Sequence, residues 1–146
     1  MAVYFFWGND EYRLNQAVEG LRQQFLDIDW ASFNYDLITP ETPDGPVQAL
    51  NQAMTPPFGS GKRLVWLKDT ALGQRCPEAV LGEFQRTLPH LPDSTVLLLT
   101  SSNKPDGRAK LTKLLQKHGE IREFSPIPPW KSDLLVQQVE STAREV

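Results

Sequence analysis

The sequence predicts an α/β domain with a mainly parallel sheet that helices cover on both faces. Segments typical of strands and of helices alternate five times along the chain. Most strand segments are continuous apolar runs, as expected for strands buried on both sides. With 146 residues, 40% of them hydrophobic, the chain can bury one core of ordinary size. We therefore expect a single domain over residues 1–146.

The first strand and helix have the clearest signals. The run VYFFW at residues 3–7 is apolar throughout and ends at Gly8. A helix is expected directly after it, because Asn9 can cap a helix and apolar residues then recur at helical spacing; these are Leu14, Val18, Leu21 and Phe25. The segment SFNYDLI at residues 32–38 alternates apolar and polar residues, which predicts a half-covered strand near a sheet edge.

A short helix and a third strand follow the break TPETPDGP. Pro46 suits the first position of this helix, which must end before Pro56. Its apolar face is predicted at Val47, Leu50 and Met54. The run RLVWL at residues 63–67 predicts the third strand.

The rest of the chain repeats this alternation. Residues 77–88 and 107–119 predict helices, the second of which should end at Gly119 in the left-handed conformation. The runs TVLLLT and IREF predict the fourth and fifth strands. A last helix is expected from Trp130 to Val146, and because no stop signal follows it, we expect the chain to continue in a longer protein.

Charge and composition exclude several classes of protein. A net charge of -3 gives the whole chain no attraction for nucleic acid or anionic membrane. One cysteine and two histidines supply neither a disulfide nor a zinc site, and no apolar run approaches the roughly 20 residues that span a bilayer. We expect a cytoplasmic protein with no metal or cofactor, whose partner is a protein or a small molecule.

The segment GSGK at residues 59–62 matches the end of a phosphate-binding loop. The complete motif needs a glycine where Pro56 stands and a hydroxyl where Arg63 stands, and it must open a helix rather than a strand. After the first strand, where such a loop belongs, Asp10 and Glu11 would repel a polyphosphate. The sequence therefore predicts no nucleotide site.

Candidate catalytic side chains have no supporting pattern. Cys76 stands at a predicted helix start, which could lower its thiol pKa, but no spacing ties it to His90 or His118. Asp27 and Asp29 lie in a loop after a helix, where solvated carboxylates are common. We interpret all five as structural or surface residues.

A basic face is predicted on the fourth helix. Arg108, Lys110, Lys113 and Lys117 are placed there, the last three at i, i+3 and i+7. They could contact a phosphate backbone, but no aromatic residues are interleaved with them, so a solvated face is the favoured interpretation.

Phe58 has the strongest signal for an interaction. Two prolines precede it and Gly59-Ser60-Gly61 follows it, so its ring belongs to a loop and not to a periodic core position. A displayed aromatic ring beside Pro57 suits docking into a partner's pocket. The alternative, in which Phe58 folds back over the sheet, stays open at this point.

Four segments in order and spacing resemble the N-terminal domain of the delta subunits of bacterial DNA polymerase III. They are YFFWGNDEYRLNQAV, QAMTPPFGSGKRLVWLKD, TVLLLTSSNKPDGRAKLTKLLQKHGEI and PPWKSDLLVQQV, and together they cover essentially the whole chain. The resemblance implies a three-layer αβα RecA-like AAA+ domain with a five-stranded sheet of order 5-1-4-3-2 and a degenerate nucleotide site. It also implies that a lid and a collar domain lie beyond Val146.

The resemblance further implies a non-catalytic clamp-loader subunit. Such a subunit binds and helps to open the beta sliding clamp by inserting a hydrophobic pair from a loop, and here that pair falls on Pro57 and Phe58, with Met54, Pro56 and Gly59 in support. Members of the family often carry leucine before the phenylalanine. In the complete protein the ATPase clamp-loader subunits and delta prime are implied as partners, with DNA contacted indirectly.

Two functions of other classes remain as alternatives. A nucleotide-binding enzyme would need Lys62 in a nonstandard phosphate site, and ATP would then stabilise the protein. A DNA-binding module would use the lysines of the fourth helix and would bind primed DNA with steep salt dependence.

Overall fold

The computed structural model describes residues 2–125 as one five-stranded sheet with helices on both faces. Its elements are β1 (Ala2–Trp7), α1 (Glu11–Phe25), β2 (Tyr35–Ile38), α2 (Gly45–Ala53), β3 (Arg63–Leu67), α3 (Glu78–Thr87), a 3-10 turn (Leu88–His90), β4 (Thr95–Ser101), α4 (Lys110–His118) and β5 (Glu120–Glu123). The strand order is β2-β3-β4-β1-β5 and every pairing is parallel. The predicted fold class and strand order are confirmed.

The sheet separates two apolar clusters, which makes three layers. On one face α1 packs against the sheet through the buried residues Leu14, Val18 and Leu21. On the other face lie α2, α3 and α4, with buried residues that include Leu50, Phe84, Leu111 and Leu115. Strand β1 serves both clusters, since Phe5 points to one face and Phe6 to the other.

Three predicted details near α1 and α2 were wrong. Asp10, and not Asn9, caps α1, and its Oδ1 accepts a hydrogen bond from the Arg13 N–H at 3.2 Å. Strand β2 begins at Tyr35 instead of Ser32, because the preceding residues form hydrogen-bonded turns. Met54 lies at the C-terminal cap of α2 and is 41% exposed, while the buried face of this helix is formed by Gly45, Ala49, Leu50 and Ala53.

The surroundings of α4 also differ from the prediction. The helix begins at Lys110, so Arg108 lies in the loop before it. Gly119 has an extended backbone with φ -156° instead of a left-handed one. A glycine suits this position for another reason, since a Cβ there would lie 2.1 Å from the Val3 carbonyl oxygen. The helix predicted at residues 130–146 lies outside the described residues.

Between residues 2 and 125, no helix has both the length and the apolar character needed to cross a bilayer.

Candidate functional site

The loop at residues 54–62, which we call the Phe58 loop, connects α2 to the amino end of β3. Pro57 is half-buried, whereas Phe58 is 55% exposed. The Phe58 ring lies beside a buried cation, because the guanidinium carbon of Arg63 is 5.7 Å from the ring centroid. The ring therefore has one supported side and a large solvent-exposed surface.

Asn34 holds the main chain of Phe58. The Phe58 N–H donates to Asn34 Oδ1 at 2.6 Å, and Asn34 Nδ2 donates to the Phe58 carbonyl oxygen at 2.8 Å. Asn34 itself is fully buried, at 0% exposure, and its own carbonyl oxygen accepts from the Leu64 N–H at 2.8 Å. One buried amide thus connects the Phe58 loop to the start of β2 and β3.

The glycines of the GSGK segment allow close approach to the loop between α1 and β2. Gly59 has φ +61°, and a Cβ on it would lie 2.1 Å from the Trp30 ring. Gly61 has φ +86°, and a Cβ there would lie 2.7 Å from the Asp27 nitrogen. Their positions follow from this packing, and not from a phosphate-binding turn.

Ser60 adds a polar contact between the same two loops. Its hydroxyl donates to Asp27 Oδ2 at 2.7 Å. This hydrogen bond is the main reason why the pKa of Asp27 is lowered, and a second bond from the Asp29 N–H lowers it further. Asp27 therefore has a structural contact in place of the catalytic role considered from the sequence.

An ion pair between the buried Arg63 and the partly exposed Asp36 supports the Phe58 loop. Arg63 Nη1 lies 2.5 Å from Asp36 Oδ2 on the neighbouring strand β2. Arg63 Nη2 also donates to the Pro56 carbonyl oxygen at 3.5 Å. Arg63, which stands where the phosphate-loop motif requires a hydroxyl, thus connects the Phe58 loop to the sheet.

Exposed aromatic residues lie next to the Phe58 loop. Phe33 is 61% exposed, and its ring centroid is 6.0 Å from that of Trp30, which contacts Gly59. Neither Asn34 nor Trp30 is predicted as a site residue from the sequence. The signal in the sequence is the segment at residues 30–34, in which two aromatic residues and an asparagine stand just before β2.

A cleft of about 170 Å³ lies at the other end of the strands from the Phe58 loop, beyond the carboxyl ends of β1, β3 and β4. Glu11, Lys68 and Asp69 are among its lining residues. This is where a nucleotide would bind in an open parallel sheet. The amides of Gly8 and Asp10 in the turn after β1 donate to the carbonyl oxygens of Ser101 and Phe124, at 3.0 and 2.8 Å. These amides cannot surround a phosphate, and Glu11 adds a like charge.

Lys62 and this cleft lie at opposite ends of the strands. It precedes β3, at the amino end of the strands, and its Nζ is 5.2 Å from the centroid of the Phe25 ring.

Over residues 2–125 no group of three His, Cys, Asp or Glu side chains is arranged to hold a metal ion.

The predicted basic face exists in part. Lys110, Lys113 and Lys117 are exposed along α4. Arg108 lies before the helix, is almost fully exposed and has its Nε 3.9 Å from Asp106 Oδ1. Partial burial raises the pKa of the Cys76 thiol, which agrees with the interpretation of Cys76 as a structural residue and not as a nucleophile.

Comparison with known proteins gives the family. A family described as the delta subunit of DNA polymerase III matches residues 4–125. The chain belongs to the DNA polymerase III delta subunit family. This result confirms the resemblance that the sequence motifs indicated.

A known protein sequence and a solved structure, both from Bacillus subtilis, are similar to this chain. DNA polymerase III subunit delta of strain 168 is 31% identical over 127 residues, which is 83% of this chain and 36% of the relative. The solved structure of the DNA clamp loader delta protein superposes with a TM-score of 0.77 at 27% identity, and covers 97% of this chain and 44% of that one. The chain thus spans less than half the length of either relative.

Proposed function

We propose that this domain is the clamp-binding part of a clamp-loader delta subunit. In this proposal Phe58 and Pro57 enter an apolar pocket on the beta sliding clamp, with Pro56 and Met54 at the edge of the contact. The observation that carries the proposal is the half-exposed Phe58 ring on a loop held by buried groups. Membership of the delta family supports the choice of partner.

The size of the contact agrees with a small anchoring site. Full burial of a phenylalanine side chain is worth about 1.5–3 kcal/mol, and about half of the Phe58 surface is still available for burial by a partner. A gain of about 1.4 kcal/mol corresponds to a tenfold change in affinity. Phe58 can therefore act as a hot spot, although the other contacts must supply the rest of the affinity.

Opening of the clamp would follow from selective binding. A ligand shifts a conformational equilibrium only by the difference between its affinities for the two states. The domain would favour an open ring if the pocket that accepts Phe58 is better shaped in the open or strained clamp. This step needs no covalent chemistry, and we propose that the domain is not an enzyme.

The cleft at the carboxyl ends of the strands supports a non-catalytic role. The amides of the turn after β1 are used within the protein, and Glu11 faces the cleft where phosphates would lie. In the complete protein, ATP would be handled by partner subunits, with delta prime completing the assembly and DNA contacted through the complex. A cytoplasmic location and the division into this AAA+ domain, a lid and a collar belong to the same proposal.

The test is a calorimetric titration of the protein into the sliding clamp of the same organism. Phe58→Ala should weaken binding about tenfold or more and leave the unfolding temperature almost unchanged. Tyr12→Ala is the matched control, because Tyr12 is 72% exposed on α1, away from the Phe58 loop. Equal affinities for wild type and Phe58→Ala would overturn the proposed site.

A further inference from the structure

We infer that Asn34 is the positioning residue of the docking site: its buried amide fixes Phe58 in the conformation that the clamp accepts. The inference rests on the proposed function, and it adds a residue that cannot itself touch a partner. Because Asn34 is 0% exposed, any effect on clamp binding must pass through the Phe58 loop.

The geometry of the amide makes it specific for this task. Both hydrogen bonds that the structure shows for the Asn34 side chain go to the main chain of Phe58, one to the N–H and one to the carbonyl oxygen. A planar amide with one donor and one acceptor engaged on the same residue fixes the orientation of that residue on both sides of its Cα. Since the Asn34 side chain is buried, water competes poorly for its amide.

Two further contacts hold the residues that follow. Gly59 packs against the Trp30 ring, and the Ser60 hydroxyl bonds to Asp27. Three consecutive residues of the Phe58 loop are therefore attached to the segment at residues 27–34. Such a loop loses little conformational freedom when it binds, and affinity rises when the ordering cost is met before binding.

A positioning role makes a different prediction from a purely structural one. A structural residue would lower the stability of the fold, but would leave the affinity of the folded protein unchanged. A positioning residue would lower affinity only as long as the Phe58 ring is present to be positioned. The two effects of Asn34 and Phe58 on binding should then be strongly non-additive.

The experiment is a double-mutant cycle with the sliding clamp, using Asn34→Leu, Phe58→Ala and the double variant. Leucine has a similar size and removes both hydrogen bonds. Asn34→Leu should weaken binding about tenfold in the wild-type background and less than about twofold in the Phe58→Ala background. Amide hydrogen exchange at Phe58 should become faster in Asn34→Leu, which reports the loosened loop directly.

A second variant keeps the test decisive if Asn34→Leu fails to fold. Gly59→Ala pushes the same loop away from Trp30 from an exposed position, and it should weaken binding several-fold. Gly82→Ala is its control, because a Cβ at Gly82 meets nothing within 4 Å.

The outcomes separate the two proposals. If Phe58→Ala weakens binding but Asn34→Leu and Gly59→Ala do not, the positioning role is overturned and the docking role stands. If the losses of affinity from Asn34→Leu and Phe58→Ala simply add, Asn34 acts on binding through a contact other than Phe58, and the positioning role is overturned. If Phe58→Ala itself binds as wild type, the proposed function fails and this inference fails with it.

Discussion

The buried side chain of Asn34 pairs with both main-chain polar groups of Phe58, at 2.6 and 2.8 Å, although 24 positions separate the two residues. The contact joins the loop before β2 to the loop before β3, at the amino ends of two adjacent parallel strands. An exposed aromatic ring is thereby attached to a rigid part of the sheet. The candidate docking site lies at the amino ends of the strands, opposite the cleft at their carboxyl ends.

Pro57 should matter less for clamp binding than Phe58. Pro57→Ala removes only part of an apolar surface, because Pro57 is already half-buried in the folded protein, and the lost contact is worth about 0.4–0.8 kcal/mol. We expect about a two- to fivefold loss of affinity, against about tenfold or more for Phe58→Ala. Calorimetry on both variants checks this order. A larger loss of affinity for Pro57→Ala than for Phe58→Ala would show that Pro57, and not Phe58, is the main anchor.

Ser60→Ala should raise the pKa of Asp27 towards its ordinary value. The Ser60 hydroxyl is the largest cause of the lowered pKa, and the weaker contribution of the Asp29 N–H would remain. Because the folded pKa lies below the unfolded one, the stabilisation by this contact is present above the unfolded pKa and is lost as the pH falls through the folded pKa. Acidification should therefore loosen the contact in wild type.

An NMR titration of the carboxyl carbons measures this pKa. Glu41 provides an internal control, since its pKa is lowered by a hydrogen bond to Thr39 and should not respond to Ser60→Ala. An unchanged Asp27 titration in the variant would show that Ser60 does not hold this carboxylate in solution.

ATP with magnesium should not stabilise the protein. Any ligand that binds the folded state alone raises the unfolding temperature, but the cleft has two of its turn amides already paired and carries Glu11. A thermal unfolding series with increasing nucleotide should give one constant midpoint. A rising midpoint that Lys62→Ala abolishes would instead support the nucleotide-binding alternative.

The lysines of α4 should not contribute to clamp binding. Replacement of Lys110, Lys113 and Lys117 by glutamine should leave the calorimetric affinity for the clamp within about twofold, because α4 packs against β1 and β5, whereas the Phe58 loop adjoins β2 and β3. The same variant tests the DNA-binding alternative. If wild type binds primed DNA and the triple substitution lowers the logarithmic salt slope by about one per lysine, α4 contacts phosphates.

Asp36→Asn should destabilise the fold by about 1–3 kcal/mol. Loss of a charge partner leaves the buried Arg63 uncompensated, but the 30% exposure of the Asp36 side chain reduces the effect below that of a fully buried pair. Glu19→Gln is the control, because the Arg22–Glu19 pair is exposed and should contribute at most about 0.5 kcal/mol. Urea unfolding of both variants checks the difference, and equal midpoints would contradict the role of the Asp36 carboxylate.

Local patterns in the sequence determined the architecture. The apolar runs of β1, β3 and β4 and the helical spacing of Leu14, Val18 and Leu21 depend on neighbours in the chain, so strand and helix types could be predicted together with the parallel sheet. The failure of the phosphate-loop motif at Pro56 and Arg63 was also visible without coordinates. Family motifs supplied the strand order, which periodicity alone does not contain.

Only the tertiary structure decided how the Phe58 loop is held. The partner of Phe58 is 24 residues away in sequence, and Trp30 and Asp27 approach Gly59 and Ser60 because β2 and β3 are adjacent in the sheet. Hydrogen bonds and contacts between distant segments leave no periodic signal in either segment. The same reason explains Gly119, whose requirement for a small residue comes from the Val3 carbonyl on a neighbouring strand, and not from the helix that it follows.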